Sequence, residues 1–275
     1  MMSSSILPED DSDKRKAIYH DLHSSQLELE ENQNRISAQK IFNLLFDIYI
    51  PNSILDVGCG LGTWLSVARE LGVTDIYGIE GPWLNPKQLR IDSQYVAIQD
   101  LEQSFNLHRS FDLIISLEVA EHLSPMTAST FIASLVSHGD IILFSAAIPY
   151  QGGHNHINEQ FLSYWADLFD KFDFVPIDII RGQIWDDKDI HWWLRQNILL
   201  FIRRSAINDK AFFLKYINSY KPLSIVHPEV YRSRLQQFEQ AICQYSQFLN
   251  NFSKEGVYTV QSKNGQLIVS DFKKS

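Results

Sequence analysis

The sequence has little cysteine: Cys59 and Cys243 are the two cysteines among its 275 residues. Two thiols so far apart in the chain do not build a disulfide scaffold, and no C-x-x-C spacing indicates a metal site. We therefore expect two free thiols in a reducing compartment, which is typical of a cytoplasmic protein.

Long apolar runs are lacking as well. No stretch approaches the roughly 20 apolar residues that a helix needs to cross a bilayer. The N-terminal sequence MMSSSILPEDDSDKRK has no basic segment followed by an apolar one, as a secretory signal would have. These absences predict a cytoplasmic protein without a membrane partner.

Positive charge is in deficit, since the formal net charge is −9 and the pI is about 5.4. An acidic surface repels phosphate backbones, and the sequence has no local basic patch to offset this. We therefore expect a small-molecule partner and no nucleic acid. A hydrophobic content of 45% allows one buried core plus an appendage.

Apolar strands alternate with helical segments over most of the chain. The sequence begins with a flexible tail at 1–16 and a helical pattern from Ala17 to Tyr49. Strands are then predicted at Ser53–Val57, Asp75–Ile79, Gln94–Ile98, Phe111–Leu117, Asp140–Ala146, Phe172–Ile180 and Asn197–Arg203. This alternation predicts an α/β fold with a doubly wound, mostly parallel sheet. Ligands bind such a sheet at the carboxyl ends of its strands.

The pattern changes after Arg204. A helix from Pro228 to Leu249 carries apolar residues at intervals of three and four, and Asn264-Gly265 between apolar residues is a strong hairpin signal. This C-terminal helix and hairpin could cap the sheet, contribute to a substrate pocket or mediate homodimer formation. We predict three parts: a tail (1–16), a ligand-binding domain (17–204) and a C-terminal appendage (205–275).

A glycine-rich turn follows the first predicted strand, in the sequence SILDVGCGLGTW. Its glycines form G-x-G-x-G, and Thr63 stands where a dinucleotide-binding G-x-G-x-x-G turn has its last glycine. The Asp56 carboxylate would repel a pyrophosphate but suits an ammonium group, such as that of a methionine moiety. A nicotinamide dehydrogenase is therefore disfavoured.

Acidic residues also stand at the ends of the next strands. Glu80 ends the second strand, where a carboxylate can accept hydrogen bonds from ribose hydroxyls. Asp100 follows the third strand, where it can accept from an adenine amino group, and Leu117 and Glu118 end the fourth. Each acid alone is typical of a solvated loop, but features at four successive strand ends together indicate a nucleoside site.

The segments ILDVGCGLGTW, YGIEG, IQDLE and FDLIISLEVAEHL closely resemble the successive motifs of class I S-adenosylmethionine-dependent methyltransferases. The resemblance spans about residues 50–205 and implies a Rossmann-like seven-stranded sheet whose last hairpin is antiparallel. It implies S-adenosylmethionine as cofactor. The residues it places on the cofactor are Asp56, Gly58, Cys59, Gly60, Ile79, Glu80, Gly81, Asp100, Leu101, Leu117 and Glu118.

Two further segments, 145–160 and 192–197, resemble a subgroup associated with bacterial glycan or natural-product gene clusters. This suggests a hydroxylated metabolite or sugar as the methyl acceptor. Aromatic residues before the last strand would suit such a ring or would belong to the core. They are Trp185, His191, Trp192 and Trp193.

The loop after the fifth strand carries the candidate catalytic residues His154, His156 and Glu159. A hydroxyl acceptor needs a general base, and histidine suits neutral pH. We expect His156 to be that base, oriented by Glu159. The alternative is structural: Asn158 or Glu159 caps the next helix and His156 bonds to backbone.

The remaining histidines leave other hypotheses open. His154 and His156 could bind a metal with His191 or a carboxylate, but three converging ligands are not visible, so no metal site is predicted. His122 could face the acceptor or pack beneath the cofactor, and Tyr19 with His20 could begin a lid. We predict O-methylation; N-methylation and a non-catalytic cofactor-binding subunit are the alternatives.

Overall fold

The computed structural model describes residues 24–207, 213, 223–255, 258–263 and 266–271. They belong to two compact units, one ending at His227 and one beginning at Pro228. The predicted tail (1–16) and the lid residues Tyr19 and His20 lie outside the described residues.

The first unit contains a seven-stranded sheet in the order β3-β2-β1-β4-β5-β7-β6. Strands β1 to β5 pair in parallel, whereas β7 runs antiparallel to both β5 and β6. This confirms the predicted fold. The strands are β1 Ser53–Val57, β2 Asp75–Glu80, β3 Val96–Ile98, β4 Leu113–Leu117, β5 Ile141–Ser145, β6 Phe174–Ile177 and β7 Leu199–Arg203.

The sheet has an apolar layer on each face, because successive residues of a strand point to opposite sides. Ile54 of β1 packs into one buried cluster, which includes Phe42 and Trp64 from the surrounding helices. Its neighbour Leu55 packs into the other, with Phe144 and Trp165. The central strands are therefore buried on both faces, as their continuous apolar runs predict.

Helices cover both faces of the sheet. The described helices of this unit are α1 Ser24–Phe46, α2 Thr63–Glu70, α3 Ala128–Val136, α4 Leu162–Asp170, α5 Arg181–Ile184, α6 Trp192–Asn197 and α7 Arg204–Ile207. Short 3-10 turns lie at Pro86–Gln88, Ser93–Tyr95 and Ala120–His122. The last of these turns directly follows β4 and contributes to the site described below.

The first unit extends beyond the predicted boundary at residue 204. Arg181, 1% exposed, donates hydrogen bonds to the carbonyl oxygens of Gln196 (3.2 Å) and Leu223 (2.8 Å) and pairs with Asp178 at 2.7 Å. The backbone N–H of His227 donates to the Gln196 side chain at 2.7 Å. These contacts hold residues 223–227 in the first unit.

The second unit consists of a long helix and a hairpin. Helix α8 spans Pro228–Glu255, and strands β8 (Tyr258–Lys263) and β9 (Gln266–Asp271) pair antiparallel. Among the described residues of the whole chain, no helix is both long and apolar enough to cross a membrane. The cytoplasmic location inferred from the sequence stays a prediction.

Arg181→Met should lower the free energy of unfolding by about 3–5 kcal/mol, because it removes a buried guanidinium that pairs with Asp178 and donates to two carbonyl oxygens. Urea unfolding measures this loss. The matched control is Arg204→Met, whose ion pairs with Asp170 and Asp173 are half-exposed; we expect it to cost under about 1 kcal/mol. Equal losses in the two variants would contradict the prediction.

Candidate active site

The glycine turn after β1 brings two strands together at the carboxyl edge of the sheet. The N–H groups of Gly58 and Cys59 donate to the carbonyl oxygen of Ile79 at 2.8 and 3.1 Å. Gly58 has φ +83°, and a Cβ there would lie 2.4 Å from Val119, so only glycine fits. A Cβ at Gly60 would meet no atom within 4 Å. The turn therefore packs against the loop after β4 at Gly58 and leaves open space beside Gly60.

Asp56 lies in β1 beneath this turn and is 4% exposed. No described residue donates a hydrogen bond to its carboxylate. Burial, and then the charge of Glu80, raise the pKa of Asp56 well above its ordinary value. Since an ionised carboxylate is costly to bury without a partner, a cationic ligand group fits this position.

Glu80, also buried, ends β2 beside the turn. Its Oε2 accepts from the Gly60 N–H at 2.6 Å and its Oε1 from the Gly81 N–H at 2.8 Å. Burial raises the pKa of Glu80, and these hydrogen bonds partly oppose the rise. Each oxygen keeps a second lone pair, so the carboxylate can still accept from ligand hydroxyls.

The other predicted cofactor residues lie along the same edge. Ile79, Leu101 and Cys59 are buried, whereas the Asp100 side chain is exposed and accepts from the Glu102 N–H at 3.0 Å. Trp83 is a residue of this edge that the sequence motifs do not predict: its ring lies against Gly81, where a Cβ would be 2.2 Å away. An aromatic residue two positions after the Glu80-Gly81 pair was the available signal.

The end of β4 leads into a polar network around Glu118. This residue has φ +54°, an uncommon conformation for a non-glycine residue. Its carboxylate accepts from Gln151 Nε2 at 2.9 Å and Asn197 Nδ2 at 3.1 Å. Both amides are buried. Their segments resemble a methyltransferase subgroup in sequence, but nothing in that resemblance predicts that these two amides hold Glu118.

Glu121 follows in the 3-10 turn and is 0% exposed. Neither of its carboxylate oxygens has a hydrogen-bond partner in good geometry, although the Glu118 carboxyl and the Ala147 backbone approach this group. Burial, and then the charge of Glu118, raise the pKa of Glu121 well above its ordinary value. Its backbone carbonyl accepts from the N–H groups of Ile157 (2.9 Å) and Asn158 (3.0 Å). This joins the turn after β4 to the loop after β5 that carries His154 and His156, called the histidine loop below.

The histidine loop is organised by Glu159. Its Oε1 contacts His156 Nδ1 at 3.0 Å and accepts from the Gly152 N–H at 2.8 Å, while Oε2 accepts from the Tyr150 N–H at 2.7 Å. Helix α4 begins at Leu162, with no side-chain hydrogen bond at its N-terminus. Glu159 therefore orients His156 and does not cap that helix.

His156 lies beside the turn after β4. Its ring contacts the His122 ring edge-to-face, with the centroids 4.8 Å apart. Glu121, His122 and His156 each offer one ligand atom, and these three atoms lie within 4.8 Å of one another. His154 is exposed and outside this cluster, so its catalytic role stays a prediction.

The aromatic residues before β7 do not form one wall. The Trp185 ring packs against the His227 ring, with the centroids 4.5 Å apart, whereas the His191 ring stacks on the Trp193 ring, with the centroids 4.0 Å apart. Burial lowers the pKa of His191 to about 4, and His191 is not part of the three-residue cluster. Trp192 is half-buried at the start of α6, the helix that also carries Asn197.

A family profile described as "Methyltransferase domain" matches residues 26–197. The matched segment covers well over half of the chain and contains both the glycine turn and the histidine loop. The chain belongs to this methyltransferase family. It is an S-adenosylmethionine-dependent methyltransferase, and the sheet order and the buried acids at the carboxyl edge agree with this assignment.

Several solved structures resemble the methyltransferase. Magnesium protoporphyrin IX methyltransferase from Synechocystis PCC 6803, with bound SAH, is 17% identical (TM-score 0.49; 70% of this chain, 94% of that one). The plantazolicin methyltransferase BpumL, in complex with SAH, is 16% identical (TM-score 0.48; 71% and 92%). The methyltransferase domain of a bacterial Hen1 is 16% identical (TM-score 0.45; 62% and 98%). No curated protein sequence matches the methyltransferase.

Asp56→Asn should stabilise the ligand-free methyltransferase, and more at pH 8 than at pH 5. A carboxyl group whose pKa is raised by folding binds its proton more tightly in the folded state, so its contribution to stability is lost as pH rises. The variant removes that loss and should gain about 1 kcal/mol or more at pH 8.

Urea unfolding at several pH values between 5 and 8 measures this gain. Asp75→Asn is the control, because Asp75 is exposed at the opposite end of β2 and pairs with Arg109. If the gain in unfolding free energy of the Asp56 variant does not grow with pH, the raised pKa assigned to the buried Asp56 carboxyl is wrong.

Proposed function

We propose that this methyltransferase transfers the methyl group of S-adenosylmethionine to a hydroxyl group of a small metabolite or sugar, with deprotonation assisted by His156. The observation that carries the proposal is the position of the His156–Glu159 pair. A backbone junction at Glu121 holds the pair against the turn after β4, at the carboxyl edge of the sheet.

The cofactor fits the acids at this edge. S-adenosylmethionine supplies a methyl group already activated on a sulfonium centre. We assign Asp56 to its ammonium group, since the buried carboxylate has no donor among the described residues. Glu80 holds the ribose hydroxyls, while Ile79 and Leu101 flank the adenine ring and Asp100 binds its amino group. The remaining members of the set are Gly58, Cys59, Gly60, Gly81, Leu117 and Glu118.

The His156 ring is held in one orientation. Glu159 contacts Nδ1, which favours the tautomer protonated there and leaves Nε2 to act near the acceptor. An acceptor hydroxyl must lose its proton as its oxygen forms the new bond to carbon and the carbon–sulfur bond breaks. An amine needs no such group, so the fixed imidazole favours a hydroxyl acceptor.

The surrounding charge and aromatic residues support a small, neutral acceptor. A net charge of −9 opposes nucleic-acid binding. Trp192 is the first residue of α6, and Asn197, the last residue of that helix, donates a hydrogen bond to Glu118. The half-buried indole ring of Trp192 could therefore stack on the face of a sugar near the site. We therefore favour a hydroxylated metabolite over a polymer of nucleotides.

We also propose that two copies of the chain pair through α8. Its apolar residues alternate at intervals of four and three, which is the heptad pattern of a coiled coil. In a parallel pair with this register, Arg234 of one copy stands opposite Glu239 of the other, so the charges are complementary. The exposed apolar residues are Tyr231, Leu235, Phe238, Ile242 and Tyr245.

His156→Ala and Glu159→Gln should each lower the methylation rate, by roughly 10²–10⁴-fold for His156 and about 10–100-fold for Glu159. Transfer from labelled S-adenosylmethionine to a panel of hydroxylated and amine metabolites measures the rate, and product analysis identifies the methylated atom.

Calorimetry with S-adenosylhomocysteine is the binding control and should give unchanged affinity in both variants. His108→Asn removes an exposed histidine elsewhere and should keep full activity. A His156→Ala enzyme with full rate at all pH values, or methylation at nitrogen, would overturn the proposal.

Phe238→Glu should convert a dimer into a monomer of 31.8 kDa, because it places a charge in the apolar stripe. Light scattering coupled to size exclusion measures the mass. Gln240→Glu introduces the same charge on the opposite face of α8 and should leave the dimer intact. A monomeric wild-type chain would refute the pairing.

A further inference from the structure

We propose that Glu121, His122 and His156 form a binding site for a divalent transition-metal ion. Their three ligand atoms lie within 4.8 Å of one another. Neighbouring ligands of an ion with bonds of roughly 2.1 Å are about 3.0–3.4 Å apart in octahedral or tetrahedral geometry. The three side chains must therefore approach one another by at most about 1.8 Å to bind one ion.

The unsatisfied carboxylate of Glu121 is an independent sign of a ligand. The side chain is fully buried, and both of its oxygens lack a hydrogen-bond partner in good geometry. Buried polar atoms are satisfied in most folded proteins, and no Lys or Arg among the described residues pairs with Glu121. The Glu118 carboxyl beside it is a second acid and contacts Glu121, so a bound cation would neutralise both groups.

The groups behind the three ligands are arranged as in metal centres. A histidine that binds a metal through one ring nitrogen usually donates its other N–H to a carboxylate, and Glu159 accepts this contact from His156 Nδ1 at 3.0 Å. Nε2 is thus the ligand atom. The Glu121 carbonyl, bonded to Ile157 and Asn158, fixes the distance between the two loops.

The donor set selects the metal class. Two imidazoles and a carboxylate suit Mn²⁺, Fe²⁺, Co²⁺ or Zn²⁺ better than Mg²⁺ or Ca²⁺, which prefer oxygen ligands alone. No metal site is predicted from the sequence, because three converging ligands are not visible there when His154 and His156 are combined with His191 or a carboxylate. The other two ligands, Glu121 and His122, lie on the turn after β4. They follow Leu117 and Glu118, which the resemblance to methyltransferases places on the cofactor.

The catalytic role of the ion rests on the proposed hydroxyl methylation, whereas metal binding itself does not. A bound divalent ion lowers the pKa of a coordinated hydroxyl, which then releases its proton to solvent. It can also hold two neighbouring hydroxyls of a diol. In the metal-loaded enzyme Nε2 of His156 is occupied as a ligand, so the ion promotes deprotonation of the acceptor, and the imidazole can act as the base only in the metal-free enzyme.

Metal binding is tested on the full chain after treatment with a chelator. Titration with Mn²⁺, followed by electron paramagnetic resonance, should give one ion per chain, and Co²⁺ should produce visible absorption bands that report nitrogen ligands. Glu121→Gln, His122→Ala and His156→Ala should each weaken Mn²⁺ binding by at least about 100-fold. His108→Asn, which removes a histidine outside the cluster, should bind Mn²⁺ normally.

Affinity for S-adenosylhomocysteine and the unfolding midpoint are measured in every variant, so that misfolding is separated from loss of a ligand. Absence of Mn²⁺ and Co²⁺ binding, or equal binding by wild type and Glu121→Gln, would overturn the metal site. If one ion binds and no hydroxyl acceptor is methylated with or without it, the metal site stands and the proposed O-methylation fails.

Discussion

A group of buried and half-buried carboxyl groups at the carboxyl edge of the sheet is the constraint on which the rest of the site depends. Asp56, Glu80, Glu118 and Glu121 all lie there, and burial is the first cause of the raised pKa of each. No Lys or Arg among the described residues offsets them. Such an arrangement costs stability unless ligands supply hydrogen bonds and positive charge. In the proposed site, a cationic nucleoside would meet this requirement at Asp56 and Glu80, and a metal ion would meet it at Glu121.

Backbone hydrogen bonds create this edge. The Gly58 and Cys59 N–H groups bind the Ile79 carbonyl, and the Glu121 carbonyl binds the Ile157 and Asn158 N–H groups. The first pair joins β1 to β2, and the second joins the loops after β4 and β5. These contacts join main-chain atoms at both ends, so they fix the distances between the loops that carry the acids and histidines. The side chains of those residues therefore remain available for chemistry.

The sequence predicts the sheet and the glycine turn because both depend on local patterns. The strand Leu113–Leu117 is apolar except for Ser116. The G-x-G-x-G turn has the Asp56 carboxylate beside it, which suits an ammonium group and would repel a pyrophosphate. The meeting of His122 with His156 depends on loop closure between residues 34 apart in number, which no local pattern encodes. The amides of Gln151 and Asn197 were missed for the same reason, since their common partner Glu118 lies on a third segment.

The double hydrogen bond to the Glu121 carbonyl has an evolutionary consequence. Because this junction uses only main-chain groups, replacing the side chain at 121, 157 or 158 by any residue other than proline leaves the donors and the acceptor in place. Descendants of this enzyme can therefore exchange the reactive groups beside the cofactor while inheriting the same loop geometry. Divergence toward new acceptors would proceed at this junction by single substitutions, without redesign of the scaffold.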